Sequence, residues 1–145
     1  MHPLSARVRR AAILACLPLA VVLGCNDSST NPSTDDIAGT YTLQSIAGVP
    51  VPFTAHPDVN TSITFTSDVL TVRSDGTWAE TQTIQEVANG QTTTDTSTSG
   101  GAWTNSGTTV NFSSEIDGSL VYTGTYSNNT LVLDAGDGLA QVFRR

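Results

Sequence analysis

The stretch Leu120-Val121-Tyr122-Thr123-Gly124-Thr125-Tyr126-Ser127-Asn128-Asn129-Thr130-Leu131-Val132-Leu133 has a period of two on both sides of a polar pair. Leu120, Tyr122, Gly124 and Tyr126 share one face, while Val121, Thr123 and Thr125 take the other. Successive side chains of a strand point to opposite faces, so this pattern predicts two strands rather than a helix. Asn128-Asn129 interrupts it, and asparagine tolerates the positive φ that a two-residue hairpin needs. Leu131 and Leu133 then resume the buried face.

Working outward, the same grammar recurs. Ala47-Gly48, Asp75-Gly76, Asn89-Gly90, Ser106-Gly107, Asp117-Gly118 and Asp137-Gly138 are further turn signals. Between them Tyr41 shares a face with Leu43, Ile63 with Phe65, Leu70 with Val72 and Val110 with Phe112. A closing strand is predicted over Leu139 to Arg144. No stretch from Ile37 onward carries apolar residues at helical spacing. The expectation is an all-β domain, residues 37–145: an antiparallel up-and-down meander of about eight strands. Such a sheet has two exposed edges unless it closes, and closure into a small barrel removes them. A flattened sandwich or half-open sheet is the alternative. Residues 89–101 stand apart, because neither face of that segment is apolar. It is expected to be mobile and to form an exposed edge, a strand projecting past the barrel or one wall of a solvated cavity.

The other end of the chain reads differently. Arg7, Arg9 and Arg10 precede an apolar run from Ala11 to Leu23. At about 1.5 Å per residue that run spans roughly 20 Å, short of a bilayer core. A positive flank and a short apolar run describe a secretory signal, residues 1–24. Val22-Leu23-Gly24-Cys25 resembles the lipobox of bacterial lipoproteins. The resemblance implies lipid attachment at Cys25, palmitate among the chains, with the signal removed. Two acyl chains hold a protein stably on a bilayer. Asn26 after the cysteine implies the outer rather than the inner membrane by that family's sorting rule. Residues 25–36 are thus the lipidated cysteine and a polar tether without one apolar side chain after Cys25.

Removal of the signal leaves three arginines, no lysine and thirteen acids, a formal charge of −10. That surface repels phosphate backbones and anionic headgroups, so no nucleic-acid partner is expected. Cys16 leaves with the signal, and no thiol remains for a disulfide or metal.

Four copies of Gly-x-aromatic punctuate the domain: Gly39-Thr40-Tyr41, Gly76-Thr77-Trp78, Gly101-Ala102-Trp103 and Gly124-Thr125-Tyr126. Glycine lets a neighbouring backbone approach, and the ring two residues on shares its face. The rings either plug a core or line an apolar pocket. Gly39-Thr40-Tyr41, the threonine-rich meander and Val142-Phe143-Arg144-Arg145 together resemble bacterial lipocalin-like lipoproteins, and a META-type lipoprotein domain has a similar opening strand. The lipocalin resemblance implies a ligand-holding barrel, with Tyr41 in the place of a tryptophan and Arg144 packed across it as the closing arginine. It makes Tyr41, Trp78, Trp103 and Tyr126 the candidate walls for a small hydrophobic ligand or lipid. The competing expectation is a cell-envelope interaction or structural module with a packed barrel.

Catalytic chemistry is poorly supplied. Glu80 and Glu86 lie on one strand face about 20 Å apart, too far for a glycosidase pair, and are expected to be solvated. Asp134-Ala135-Gly136-Asp137-Gly138 lacks the spacing of a calcium loop and is read as a hairpin turn. His56, with Asp58 or Asp68, has no nucleophile elbow beside it and is read as an ordinary loop residue. No enzyme activity, cofactor or metal is expected.

Overall fold

The computed structural model describes residues 31–55 and 61–145. The segment read as a signal, Cys25, most of the segment read as a tether, His56 and Asp58 lie outside the described residues.

A single helical turn, α1 (Thr34–Ile37), precedes ten strands: β1 (Gly39–Ile46), β2 (Val49–Pro50), β3 (Phe53–Thr54), β4 (Thr61–Val72), β5 (Thr77–Ala88), β6 (Gln91–Ser106), β7 (Thr109–Ser114), β8 (Leu120–Ser127), β9 (Thr130–Asp134) and β10 (Gln141–Arg144). Consecutive strands pair antiparallel from β4 through to β10, and β1 pairs with both β10 and β4. That double pairing closes an eight-strand antiparallel barrel. β2 and β3 are short flanking pieces on β1 and β4. A sandwich or half-open sheet is ruled out by the register Tyr41↔Leu70 on one side of β1 and Leu43↔Phe143 on the other.

The expected turns form where the sequence places them. Ala47-Gly48, Asn89-Gly90 and Asn128-Asn129 each have positive φ at both residues. This matches the right-handed twist of the strands they join. The alternation holds as well: Tyr41, Leu43, Leu70, Val72, Val110, Phe112, Leu131, Leu133 and Phe143 are all buried.

Two boundaries shift. Leu120 is 62% exposed, because the β7–β8 register slips between Phe112 and Ser113 and leaves Leu120 at the rim. The closing strand starts at Gln141, and Leu139 belongs to the preceding turn. Asp134 and Asp137 spend carboxylate oxygens on the amides of Gly136, Gly138 and Leu139, as a hairpin turn requires.

The last residues of the expected tether, Ser33 to Asp36, are structured. Ser33 caps α1, and Asp36 returns a carboxylate to the Ser33 amide at 2.8 Å. This reciprocal capping box satisfies donors that would otherwise face water. Ile37, the first apolar residue after the polar stretch, is fully buried and fixes α1 against the barrel.

Candidate functional site

The strand directions define two ends of the barrel. One end carries α1 and the β4–β5, β6–β7 and β8–β9 turns; call it the helix end. The other carries the β1–β2, β7–β8 and β9–β10 connections, and from it β4, β5 and β6 extend outward. Call this the extended end.

The four candidate wall residues come together between these ends. Tyr41, Trp78, Trp103 and Tyr126 are at most 8% exposed. Trp78 meets Phe112 edge-on at 5.8 Å, and Trp103 stacks on Phe112 at 6.3 Å. Edge-to-face and offset-stacked contacts of this kind add to the area term of burial. Every polar atom on these rings has an internal partner. The Tyr41 hydroxyl donates to the Ile37 carbonyl, and the Tyr126 hydroxyl to the Asp36 carbonyl at 2.8 Å. The Trp78 and Trp103 indole N–H groups donate to the carbonyls of Ser113 at 2.9 Å and Arg73 at 2.8 Å. Burial pushes the Tyr41 hydroxyl up to about 12, opposed by the Arg145 guanidinium.

The glycines explain how this density is reached. A Cβ on Gly124 would sit 2.0 Å from the Val132 carbonyl oxygen, and one on Gly101 would sit 1.9 Å from that of Ser113. Both positions bring neighbouring backbones closer than any side chain permits.

The closing arginine is Arg145, which corrects the assignment to Arg144. Its guanidinium lies 5.7 Å from the Tyr41 ring centre and 5.9 Å from that of Tyr126. It donates to the carbonyls of Ala38 and Asp36 and to Asn129 Oδ1 at 2.8 Å. The reason is parity: Phe143 points inward, so Arg144 points out and Arg145 returns over the helix end. Arg144 is exposed, opposite Thr42 and Thr130.

Toward the extended end the interior turns acidic. Asp68 is 0% and Glu80 6% exposed, which corrects the solvated reading of Glu80; Glu86, farther out on β5, is exposed as expected. Glu80 and Asp68 are diagonal neighbours on one face, since Leu70 opposes Glu80 and Asp68 opposes Gln82. Glu80 accepts from Ser99 Oγ at 2.8 Å, and its two oxygens lie 2.9 and 3.0 Å from the Tyr122 hydroxyl. Asp68 accepts from Gln82 at 3.1 Å through one oxygen, while its other oxygen is buried without a partner. Burial, and then the neighbouring charge of Glu80, raises the Asp68 carboxyl to about 7. Burial and the same glutamate push the Tyr122 hydroxyl well above its usual range. A buried carboxyl shifted in this direction is a recognised mark of a functional site, and for Asp68 the trace in the sequence is its parity with Leu70 and Val72 on β4. Among the described residues the pair's hydrogen-bond partners are the Ser99 and Tyr122 hydroxyls on Glu80 and the Gln82 amide on Asp68.

Two open depressions lie on the surface. One, of about 830 Å³, sits where β6 parts from β7 and is lined by Thr98, Gly100, Ser113 and Glu115, with Arg73 on its far side. The other, of about 470 Å³, lies beside Arg145, Asn128 and Asn129 at the helix end. Comparison with protein-family models, curated proteins and solved structures finds no match.

Proposed function

We propose that this chain is a lipid-tethered protein of the cell envelope that works as an interaction module, with a filled barrel as its scaffold. One observation carries the reading: the four rings that would wall a ligand pocket are buried, Trp78 and Trp103 against Phe112 and Tyr41 and Tyr126 beneath the Arg145 guanidinium, and their polar atoms are consumed by the chain's own carbonyls. Interiors at this density leave no room for a drug-sized guest without moving side chains. The anchor is the Cys25 lipid, on the outer membrane in this reading, and the N-terminal segment joins the domain at the helix end. The extended end is then the part presented away from the point of attachment.

A carrier is the second reading, and one observation favours it. Asp68 Oδ1 and Gln141 Oε1 are both buried with no hydrogen-bond partner among the described residues, and both belong to inward-facing positions toward the extended end. A guest there would be a small donor-bearing molecule rather than a fatty chain. Native mass spectrometry of the full-length protein separates the two. A single apo mass, unchanged by incubation with fatty acid, phospholipid or a short alkyl amine, is the expected result. A retained small-molecule mass that is lost in Asp68→Asn overturns the filled-barrel reading.

A further inference from the structure

We infer that the outer edge of β6, from Thr92 to Thr98, is a docking site for an extended basic polypeptide segment, which adds there as a further strand. This deepens the interaction-module reading and rests on it.

The edge is open by construction. β7 pairs with β6 only over Gly101–Ser106, whereas β5 follows β6 from Ala102 out to Gln91. The two-residue Asn89-Gly90 turn makes Ala88↔Gln91 a hydrogen-bonded pair. Alternation from that pair turns the main-chain N–H and C=O of Thr92, Thr94, Thr96 and Thr98 away from β5. The contact at the fork has the same parity, since the Gly100 carbonyl accepts from the Glu115 amide at 2.9 Å. Among the described residues no backbone group covers the four threonines.

Natural sheets blunt such an edge with lysine, proline, a bulge or extreme shortness. Gln91 to Gly100 has no lysine or proline, its register with β5 is unbroken, and Asp95 is its one charge. The row of threonines is instead a good partner for an added strand, because β-branched residues pair well across strands.

Charge selects the partner. Glu86 and Asp95 lie on the extension, Glu115 and Asp117 on the loop at the fork, and Asp134 and Asp137 on the next rim loop. The described cations, Arg73, Arg144 and Arg145, are all at the helix end. An incoming strand therefore travels through an anionic field, which favours lysine and arginine and speeds encounter. A second copy of this chain is disfavoured, since edge-to-edge pairing would bring two sets of Glu86 and Asp95 together. At the fork the strand would run into the open depression, whose lining includes the Glu115 carboxylate near the fork and Arg73 toward the helix end.

The test uses the full-length protein and a labelled (Lys-Val)4 peptide, with (Glu-Val)4 as the control. The expected result is binding at least tenfold tighter for the basic peptide, with amide shifts at Thr92, Thr94, Thr96 and Thr98. Thr96→Pro removes one free N–H and should weaken binding at least tenfold, since proline is tolerated where the N–H faces outward. Should that variant unfold, the pair Thr94→Lys and Thr96→Lys leaves the backbone intact and should weaken binding as much. Equal affinity for both peptides, binding insensitive to these variants, or a self-dimer abolished by them overturns the proposal. An apo barrel in the mass spectrometer with no peptide binding sinks strand addition alone. A barrel-borne ligand sinks the wider reading.

Discussion

The two regions of this barrel are built from the same strand-turn-strand grammar but end in opposite states. β8, β9, β10 and β1 alternate bulky apolar residues with threonine and bury Tyr122, Tyr126, Leu131, Leu133, Phe143 and Tyr41. The outer part of β6 alternates threonine and serine with threonine, and every residue from Gln91 to Ser99 is exposed. Hydrogen-bond pattern is therefore not what separates core from extension. Apolar area removed from water is, at about 25 cal/mol per Å². The polar strand persists because β5 pairs it along twelve registers, and the hairpin turn fixes that register.

The comparison breaks most easily at Gly124. Gly124→Ala drives a Cβ into the Val132 carbonyl, and the two backbones must part. Stability should fall by about 3 kcal/mol or more, read as a lower denaturation midpoint in urea. Thr96→Ala, on the extension, should stay within about 0.5 kcal/mol of the parent. Equal effects would erase the distinction.

A smaller effect is expected at the helix end. Arg145→Ala removes the guanidinium from Tyr41, Tyr126, the Ala38 and Asp36 carbonyls and Asn129. A loss of about 1–2 kcal/mol should follow, measured by thermal unfolding. Arg144→Ala should change stability by less than about 0.5 kcal/mol, and the reverse order would restore the original assignment.

Asp68 sharpens the picture through pH. Its folded-state value of about 7 lies above the ordinary 3.8, so the folded protein keeps a proton that the unfolded chain releases. That contribution is fully present below the ordinary value and is lost as pH rises through about 7. The melting temperature should therefore drop across that window in the parent and much less in Asp68→Asn. Asp36, Asp75 and Asp117 are held below the usual range by hydrogen bonds from Ser33, Thr77 and Ser119, and their opposing contributions change only at lower pH.

Strand positions, hairpin turns and the closed barrel were legible in the sequence, because period-two patterning and Asn-Gly-type turns are local signals. What escaped depends on events a few residues away. A one-residue parity decides Arg145 over Arg144, and a register slip at Phe112 puts Leu120 outside. Glu80 was hidden because a buried carboxylate is recognisable only once Tyr122 and Ser99, far along the chain, are brought beside it. The free edge of β6 follows from where β7 begins to pair, which composition does not reveal.

Residue-resolved hydrogen exchange on the full-length protein tests the contrast between a filled barrel and an open working edge most directly. The amides of Leu131, Leu133 and Phe143 should exchange only through global unfolding. Those of Thr92, Thr94, Thr96 and Thr98 should exchange close to the rate of a solvated chain. Core-level protection at those threonines, or fast local exchange around the ring cluster, would contradict that contrast.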